Sequence, residues 1–187
     1  MPATRLYLVR HAESEGNAAK IMQGAGEYPL SEHGLNQARR AAETLQALNP
    51  ALVASSDLAR AYDTASIALT RVDVVDQRLR ERGAGRWEGR PRHELEAAHP
   101  GALEDDTRRP DDFEKTGTVI ARMRAAANEL LEHDGTIVAV THGAVLRLLE
   151  ADLTGTGGRF KHLEALVLGP GLVVIGRTGF LPEKASR

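Results

Sequence analysis

The chain contains no cysteine, which excludes disulfides, a thiol nucleophile and any zinc site built on thiolates. Aromatic residues make up only 4%, few for a surface that reads nucleic acid by stacking on bases. Neither sign of charge dominates: 24 lysines and arginines face 26 aspartates and glutamates, a formal net charge of -2. That balance argues against a general nucleic-acid binder and against a membrane-surface binder. No apolar run reaches the ~18 residues of a membrane span. Internal repeats, low-complexity segments and metal-ligand spacings of the HExxH or cysteine–histidine kind are missing as well. Met1-Pro2-Ala3-Thr4 runs into an apolar segment at once, so no signal peptide is expected. With 187 residues the chain is long enough for one domain, residues 1–187, with a full core. A soluble cytoplasmic setting is the default expectation.

What is present is organised around Leu8-Val9-Arg10-His11-Ala12-Glu13-Ser14-Glu15-Gly16-Asn17. The apolar run Arg5 to Val9 reads as a strand buried on both faces, and it stops at an arginine and a histidine. In an α/β sheet the carboxyl end of a strand opens into a crevice that holds ligands. A guanidinium offers a planar fork of donors to phosphate oxygens, and a neutral imidazole can attack phosphorus. Taken alone, the pair fits surface ion pairing as well as catalysis.

The rest of the chain supplies partners. Residues 20–29 read as a glycine-rich loop closed by Pro29. Ser31 is placed to cap a helix over Glu32 to Leu48, whose Leu35, Ala38, Ala41, Ala42, Leu45 and Leu48 fall on one face. Asn49-Pro50 ends it. Ala51 to Ala54 reads as a strand, and Ser55-Ser56-Asp57 as the cap of a helix over Leu58 to Leu69. Arg60 falls in that helix's first turn, where an exterior salt bridge is its ordinary role and an inward turn towards His11 the alternative. Val72 to Val75 reads as a third strand. Arg82 to Gly117 is charged and broken by prolines, an excursion over the sheet that fits a lid and a solvated loop about equally. Within it lie the only tryptophan, Trp87, expected to pack at a loop corner, and a short helix over Arg92 to His99. Thr118 to His133 is an amphipathic helix. The strand Thr136 to Val140 then runs straight into Thr141-His142-Gly143 and a helix over Ala144 to Leu153, repeating the pattern of the opening motif. His142 at a helix start can serve an anion or merely cap the helix. Thr154 to Gly158 lacks the P-loop lysine and reads as a turn. Gly169-Pro170-Gly171 between Leu163–Leu168 and Leu172–Ile175 signals a hairpin. The tail from Pro182 to Arg187 is expected to fray.

Collected, these segments resemble the histidine phosphatase superfamily, the phosphoglycerate mutase-like proteins, in its bacterial phosphatase branch. The resemblance rests on Val9-Arg10-His11-Ala12-Glu13-Ser14 with Asn17, Gln23-Gly24, Pro29-Leu30-Ser31 with Gly34 and Gln37-Ala38, Ser56-Asp57-Leu58 with Arg60-Ala61 and Thr64-Ala65, Leu79-Arg80-Glu81 with Gly85 to Gly89, and Val140-Thr141-His142-Gly143. These blocks occur in the family's order from Leu6 to about Leu149. The resemblance implies a three-layer α/β/α sandwich with a mostly parallel sheet and a small cap from about 82 to 117. It also implies a phosphohistidine mechanism. His11 would be the nucleophile, Arg10, Arg60 and His142 would surround the phosphate, and Asn17 would add a neutral donor. Gln23, Gly24 and Gly143 would complete the substrate pocket. Glu81 would protonate the leaving oxygen and later activate water, a role that suits a buried carboxyl with no cation nearby. No metal and no cofactor would be needed.

The chain departs from the family where its bacterial phosphatases often carry Gly-Glu-Ser: Glu114-Lys115-Thr116-Gly117-Thr118 stands there. It is shorter than the cofactor-dependent mutases, which favours hydrolysis. The expectation is hydrolysis of a phosphomonoester on a small metabolite. The alternatives are mutase-type phosphoryl transfer, a phosphoprotein phosphatase, and a binding protein that keeps the pocket without the chemistry. Arg90, Arg92, His93, Arg108 and Arg109 of the cap can meet an anionic substrate or face water. A homodimer stays open, since the C-terminal hairpin can be a free edge or an interface.

Overall fold

Over the described residues, 4–181, the computed structural model runs β1 (Arg5–Arg10), α1 (Glu15–Ala18), α2 (Glu32–Gln46), β2 (Leu52–Ser55), α3 (Ala59–Leu69), β3 (Val74–Val75), α4 (Arg92–Ala98), α5 (Thr116–Leu130), β4 (Thr136–Thr141), α6 (Gly143–Thr154), β5 (Glu164–Gly169) and β6 (Val173–Gly179). The tail expected to fray, Pro182 to Arg187, lies outside them. The strands form one sheet in the order β3-β2-β4-β1-β5-β6. The first four are mutually parallel, and β5 and β6 are antiparallel additions beside β1. This is the mostly parallel sheet of an α/β fold.

Alternation along the strands makes the layers. Leu6 and Leu8 of β1, with Ile137 and Ala139 of β4, join the core that α5 and α6 cover. Val9, Val138 and Val140 join the opposite core, against Ala38, Ala41 and Leu45 of α2 and Ala61, Ala65 and Ala68 of α3. The small alanine faces let α2 and α3 sit close to the sheet and to each other. Gly34 in α2 is required by such an approach, because a Cβ there would lie 1.8 Å from the Glu13 carbonyl oxygen.

The element boundaries depart from expectation where side chains compete for backbone. Helix α3 begins at Ala59 with Leu58 in the cap position and no side-chain cap bond. Asp57 is instead drawn to Arg80 at 2.7 and 2.5 Å. The third strand shrinks to Val74–Val75, because the Asp73 carboxylate accepts from the Val53 N–H in place of a ladder bond. Helix α5 starts at Thr116 and stops at Leu130, so it lies earlier than the apolar stripe suggested. The second arm of the hairpin extends to Gly179. Ser31 caps α2 as expected, accepting from Gly34 N–H at 3.0 Å.

The excursion is not a solvated loop. Ala84, Trp87, Leu95, Ala102 and Phe113 form a third apolar cluster, with Met22 and Leu103 against it. Trp87 stacks on His99 and meets Phe113 edge-on. The chain at 20–22 is laced to this cap by Met22 N–H to Arg90 O, Gly89 N–H to Met22 O and Arg92 N–H to Lys20 O.

Candidate active site

Strands β1 and β4 are neighbours in register, Arg10 beside Thr141. Their next residues are His11 and His142. The sheet order reverses between these two strands: β1 leads through α2 to one side and β4 through α6 to the other. Such a reversal leaves a crevice at the strands' carboxyl ends. The two imidazoles meet there with ring centroids 5.0 Å apart, although the residues stand 131 positions apart in the sequence. His11 is 2% exposed, and His142 and Arg60 are fully buried.

Each group is held by backbone. His11 Nδ1 lies 2.6 Å from the Ala12 carbonyl oxygen, which only accepts. Nδ1 therefore carries the proton and Nε2 keeps its lone pair. Burial first, and the positive charges of Arg60 and Arg10 next, push the His11 pKa well below the ordinary imidazole value. Arg10 donates from Nη1 to Phe160 O at 2.6 Å. Arg60 turns inward and donates to Gly26 O at 2.8 Å and Gly24 O at 2.9 Å, so its exterior salt-bridge role does not apply. His142 occupies the cap position of α6 without any side-chain cap bond. Its Nε2 is 3.0 Å from Ser56 Oγ instead. Arg10 Nε, Arg60 Nε and His142 Nδ1 are buried with no hydrogen-bond partner among the described residues.

A cavity of about 830 Å³ adjoins this cluster, lined by Arg10, Asn17, Gln23, Gly24, Glu81 and Gly143 among others. His11, Arg60 and His142 lie behind that lining rather than in it. Asn17 closes a capping box with Ser14. Its Oδ1 accepts from Ser14 N–H at 3.1 Å, which leaves the NH2 uncommitted. Gln23 Oε1 is 2.7 Å from the Ser14 hydroxyl. Of the five cap side chains singled out in the sequence, Arg92 and Arg109 reach the cavity, whereas Arg90, His93 and Arg108 are not in its lining; Arg82 also lines it. Arg109 is already committed to Asp106 at 2.6 Å.

Glu81 differs from expectation. It is half-buried, its Oε1 accepts from Arg82 N–H at 2.9 Å and its Oε2 from Ala144 N–H at 3.3 Å, at the start of α6. It also stands near enough to Arg10 and Arg60 to stabilise both cations. The carboxyl without a nearby cation is therefore corrected: the crevice that gathers Arg10 and Arg60 exposes Glu81 to them as well. The stretch that departs from the family pattern has ties of its own. Glu114 accepts from Arg122 at 2.8 and 3.0 Å and from Gly83 N–H at 3.0 Å. Arg122 in turn donates to the carbonyls of Arg78, Arg80 and Glu81 at 2.6, 2.7 and 3.2 Å. One guanidinium thus fixes the turn that carries Glu81.

Sequence reasoning missed four participants. His162 lies with its ring 5.9 Å from that of His11 and its Nδ1 3.0 Å from the His11 carbonyl oxygen. Burial foremost, then Arg10, lowers its pKa to about 4. Ser56 reaches His142, and Arg147 and Arg159 line the cavity. His162, Arg147 and Arg159 stand in no strand-end motif, and Ser56, just past the end of β2, reads in the sequence only as part of a helix cap. Among the described residues no group of three or more histidines and carboxylates is placed to hold a metal ion.

A mostly parallel α/β sheet that gathers two histidines and two arginines at its strand ends defines an α/β protein with a cluster of imidazoles and guanidinium groups in one buried crevice. Residues 6–171 match the family model of the histidine phosphatase superfamily (branch 1), and the chain belongs to that superfamily. It is similar to glucosyl-3-phosphoglycerate phosphatase of Mycobacterium tuberculosis, 39% identical over 170 residues, covering 82% of this chain and 76% of the relative. It is also similar to the metal-independent phosphoserine phosphatase of Arabidopsis thaliana, 36% identical over 179 residues, covering 88% of this chain and 74% of that one. Among solved structures, mycobacterial glucosyl-3-phosphoglycerate phosphatase complexed with VO3 superposes with a TM-score of 0.79 at 34% identity, over 88% of this chain and 92% of the other.

Proposed function

We propose that the protein hydrolyses phosphomonoesters of a small cytoplasmic metabolite, without metal, through a phosphohistidine formed on His11. The observation that carries this reading is the trio of buried, unpartnered nitrogens, Arg10 Nε, Arg60 Nε and His142 Nδ1, beside an imidazole whose Nε2 lone pair is free. Buried donors left without partners beside a nucleophile can stabilise the charge that develops on a transferring phosphoryl group. Ser56 Oγ already accepts from Leu58 N–H. When its own hydrogen goes to His142 Nε2, the proton of that ring sits on Nδ1, where it can serve a phosphate oxygen.

The reaction has two halves. His11 Nε2 attacks phosphorus and the ester P–O bond breaks, its electron pair leaving with the alcohol oxygen, which takes a proton from Glu81. Water then loses a proton to Glu81 and attacks phosphorus, the P–N bond breaks, and inorganic phosphate leaves with His11 neutral again. Arg10, Arg60 and His142 hold the phosphoryl oxygens through both halves, with Asn17, Gln23, Gly24 and Gly143 lining the entrance.

The test is turnover of an aryl phosphate with a chelator present, together with trapping of labelled phosphoenzyme. The expected result is phosphate release that chelator leaves intact, inhibition by vanadate, and label lost on His11→Ala. Turnover that dies with chelator, or label that persists in the variant, overturns the mechanism. Release of inorganic phosphate, rather than its return to an acceptor alcohol, separates this hydrolase from a mutase.

A further inference from the structure

The main chain of His11 is gripped from two sides. Towards β4 the ladder runs one residue past the end of β1, with His11 N–H donating to Thr141 O at 2.9 Å. Towards β5 it stops earlier. Val9 pairs with Ala165, and Leu163 N–H donates to Arg10 O at 2.9 Å. Beyond that point a side chain takes over: His162 Nδ1 lies 3.0 Å from the His11 carbonyl oxygen. A carbonyl only accepts, so Nδ1 of His162 carries the proton. The next backbone group is pinned as well. Ala12 N–H donates to Thr64 Oγ1 at 3.1 Å, and that hydroxyl donates to Arg60 O at 2.6 Å. The peptide unit that joins His11 to Ala12 is thus held at its oxygen by a ring and at its N–H by a hydroxyl.

The turn that delivers the ring is strained. Lys161 O accepts from Glu164 N–H at 3.2 Å, and the third residue of that turn, Leu163, has a φ of 59°. Glycine is usual at such a position, because a Cβ is crowded there. Strain of this kind persists where the surroundings over-determine it, and it gathers at functional sites. Here the surroundings hold both flanks: Leu163 is fully buried in the core against α2 and α3, and Phe160 O accepts from Arg10 Nη1 at 2.6 Å. His162 is presented between them.

We propose that His162 is a positioning residue for the nucleophile: its ring N–H sets the His11–Ala12 peptide plane, which keeps the Ala12 carbonyl on His11 Nδ1 and the Nε2 lone pair free. This role rests on the phosphatase reading above and adds a part to that same site. A peptide plane turns as a rigid unit. Turning this one carries Ala12 O away from its 2.6 Å contact with His11 Nδ1. The ring proton can then move to Nε2, where it blocks attack on phosphorus. Burial foremost, then Arg10, lowers the His162 pKa to about 4, so near neutral pH the donor adds no positive charge beside His11.

His162 also lines the cavity, and a direct contact of its Nε2 with substrate is the competing role. Two amides separate the roles, since the asparagine nitrogen reaches the place of Nδ1 and the glutamine nitrogen that of Nε2. Nitrogen-15 NMR of the imidazoles, with the His11 signals assigned by their loss in His11→Ala, reads the tautomer directly. The wild-type protein should show His11 in one tautomer, with Nε2 unprotonated, and His162→Ala and His162→Gln should show a mixture. With an aryl phosphate, both variants should lose kcat by about tenfold or more. Competitive inhibition by inorganic phosphate should stay within about twofold, because the arginines that bind it are not displaced. His162→Asn should restore the single tautomer and most of the rate. A single tautomer retained in both His162→Ala and His162→Gln overturns the proposal. So does His162→Asn failing as His162→Ala does, or a loss confined to KM and phosphate inhibition, which marks a substrate contact instead. The NMR result stands without turnover: tautomer mixing in an inactive protein supports the positioning role while the phosphatase reading fails, and a fixed tautomer in an active one does the reverse.

Discussion

A single hydrogen bond fixes the tautomer of His11, because the Ala12 carbonyl oxygen accepts from Nδ1–H and Nε2 keeps its lone pair. His162 is fixed the same way by the His11 carbonyl oxygen, so three neutral imidazoles share one buried corner. That arrangement has a pH consequence. The His162 pKa falls from the ordinary 6.5 to about 4, and those of His11 and His142 fall well below 6.5, chiefly through burial. The unfolded chain therefore binds protons before the folded one does. Stability from these groups is complete above pH 6.5 and is lost as pH drops toward the folded values. His162 alone should account for roughly 2 kcal/mol between pH 7 and pH 5. Thermal melts across that range should show a falling Tm, and His162→Asn should flatten the fall. An unchanged pH slope in the variant would contradict the assignment. Arg10, His11 and His142 were legible in the sequence because apolar runs end on them. His162 was not, since its position before β5 gains meaning only when β5 pairs with β1.

At the scale of elements, two parallel strands each deliver a histidine, and the turn after β3 delivers the carboxylate. The strand–histidine–helix pattern could be read twice because period-two and period-3.6 segments meet at those points. The turn at 79–83 has no period, and its geometry comes from elsewhere. Thr141 Oγ1 holds Leu79 O at 2.7 Å, and Arg122 on α5 binds the carbonyls of Arg78, Arg80 and Glu81 while Glu114 anchors the guanidinium. Arg122 looks like a solvated helix position in the sequence, and its role exists only in three dimensions. It is a positioning residue for Glu81. Glu81→Gln should slow esters of poorly acidic alcohols by ~10² or more and aryl esters much less, as loss of a general acid does. Arg122→Ala should reproduce that dependence on the leaving group, with vanadate inhibition kept, and Arg122→Lys should restore part of the rate. A uniform loss across leaving groups would reduce Arg122 to a merely structural part.

At the scale of the molecule, the two sheet cores and the cap cluster are separate apolar bodies. The sheet layers follow from alternation and could be expected from the sequence. The cap core could not, because its five buried side chains are spread over the 30 positions from Ala84 to Phe113 among many charged residues, without a regular period. A small core of this kind opens independently of the large ones. Trp87 is its centre, 2% exposed and packed on His99 and Phe113. Removing a buried aromatic costs about 3–5 kcal/mol, more than so small a cluster can spare. Trp87→Ala should therefore raise amide exchange across residues 84–113 while β1 and β4 keep their protection. The loss should also reach the phosphate. Glu88 accepts from Ala25 N–H at 2.9 Å, the 20–22 segment is laced to 89–92, and the Gly24 and Gly26 carbonyls that orient Arg60 lie at the end of that lacing. Vanadate should accordingly bind Trp87→Ala more weakly. Exchange rising equally in β1 would instead make the cap part of one cooperative unit, and unchanged vanadate affinity would cut the link from cap to Arg60.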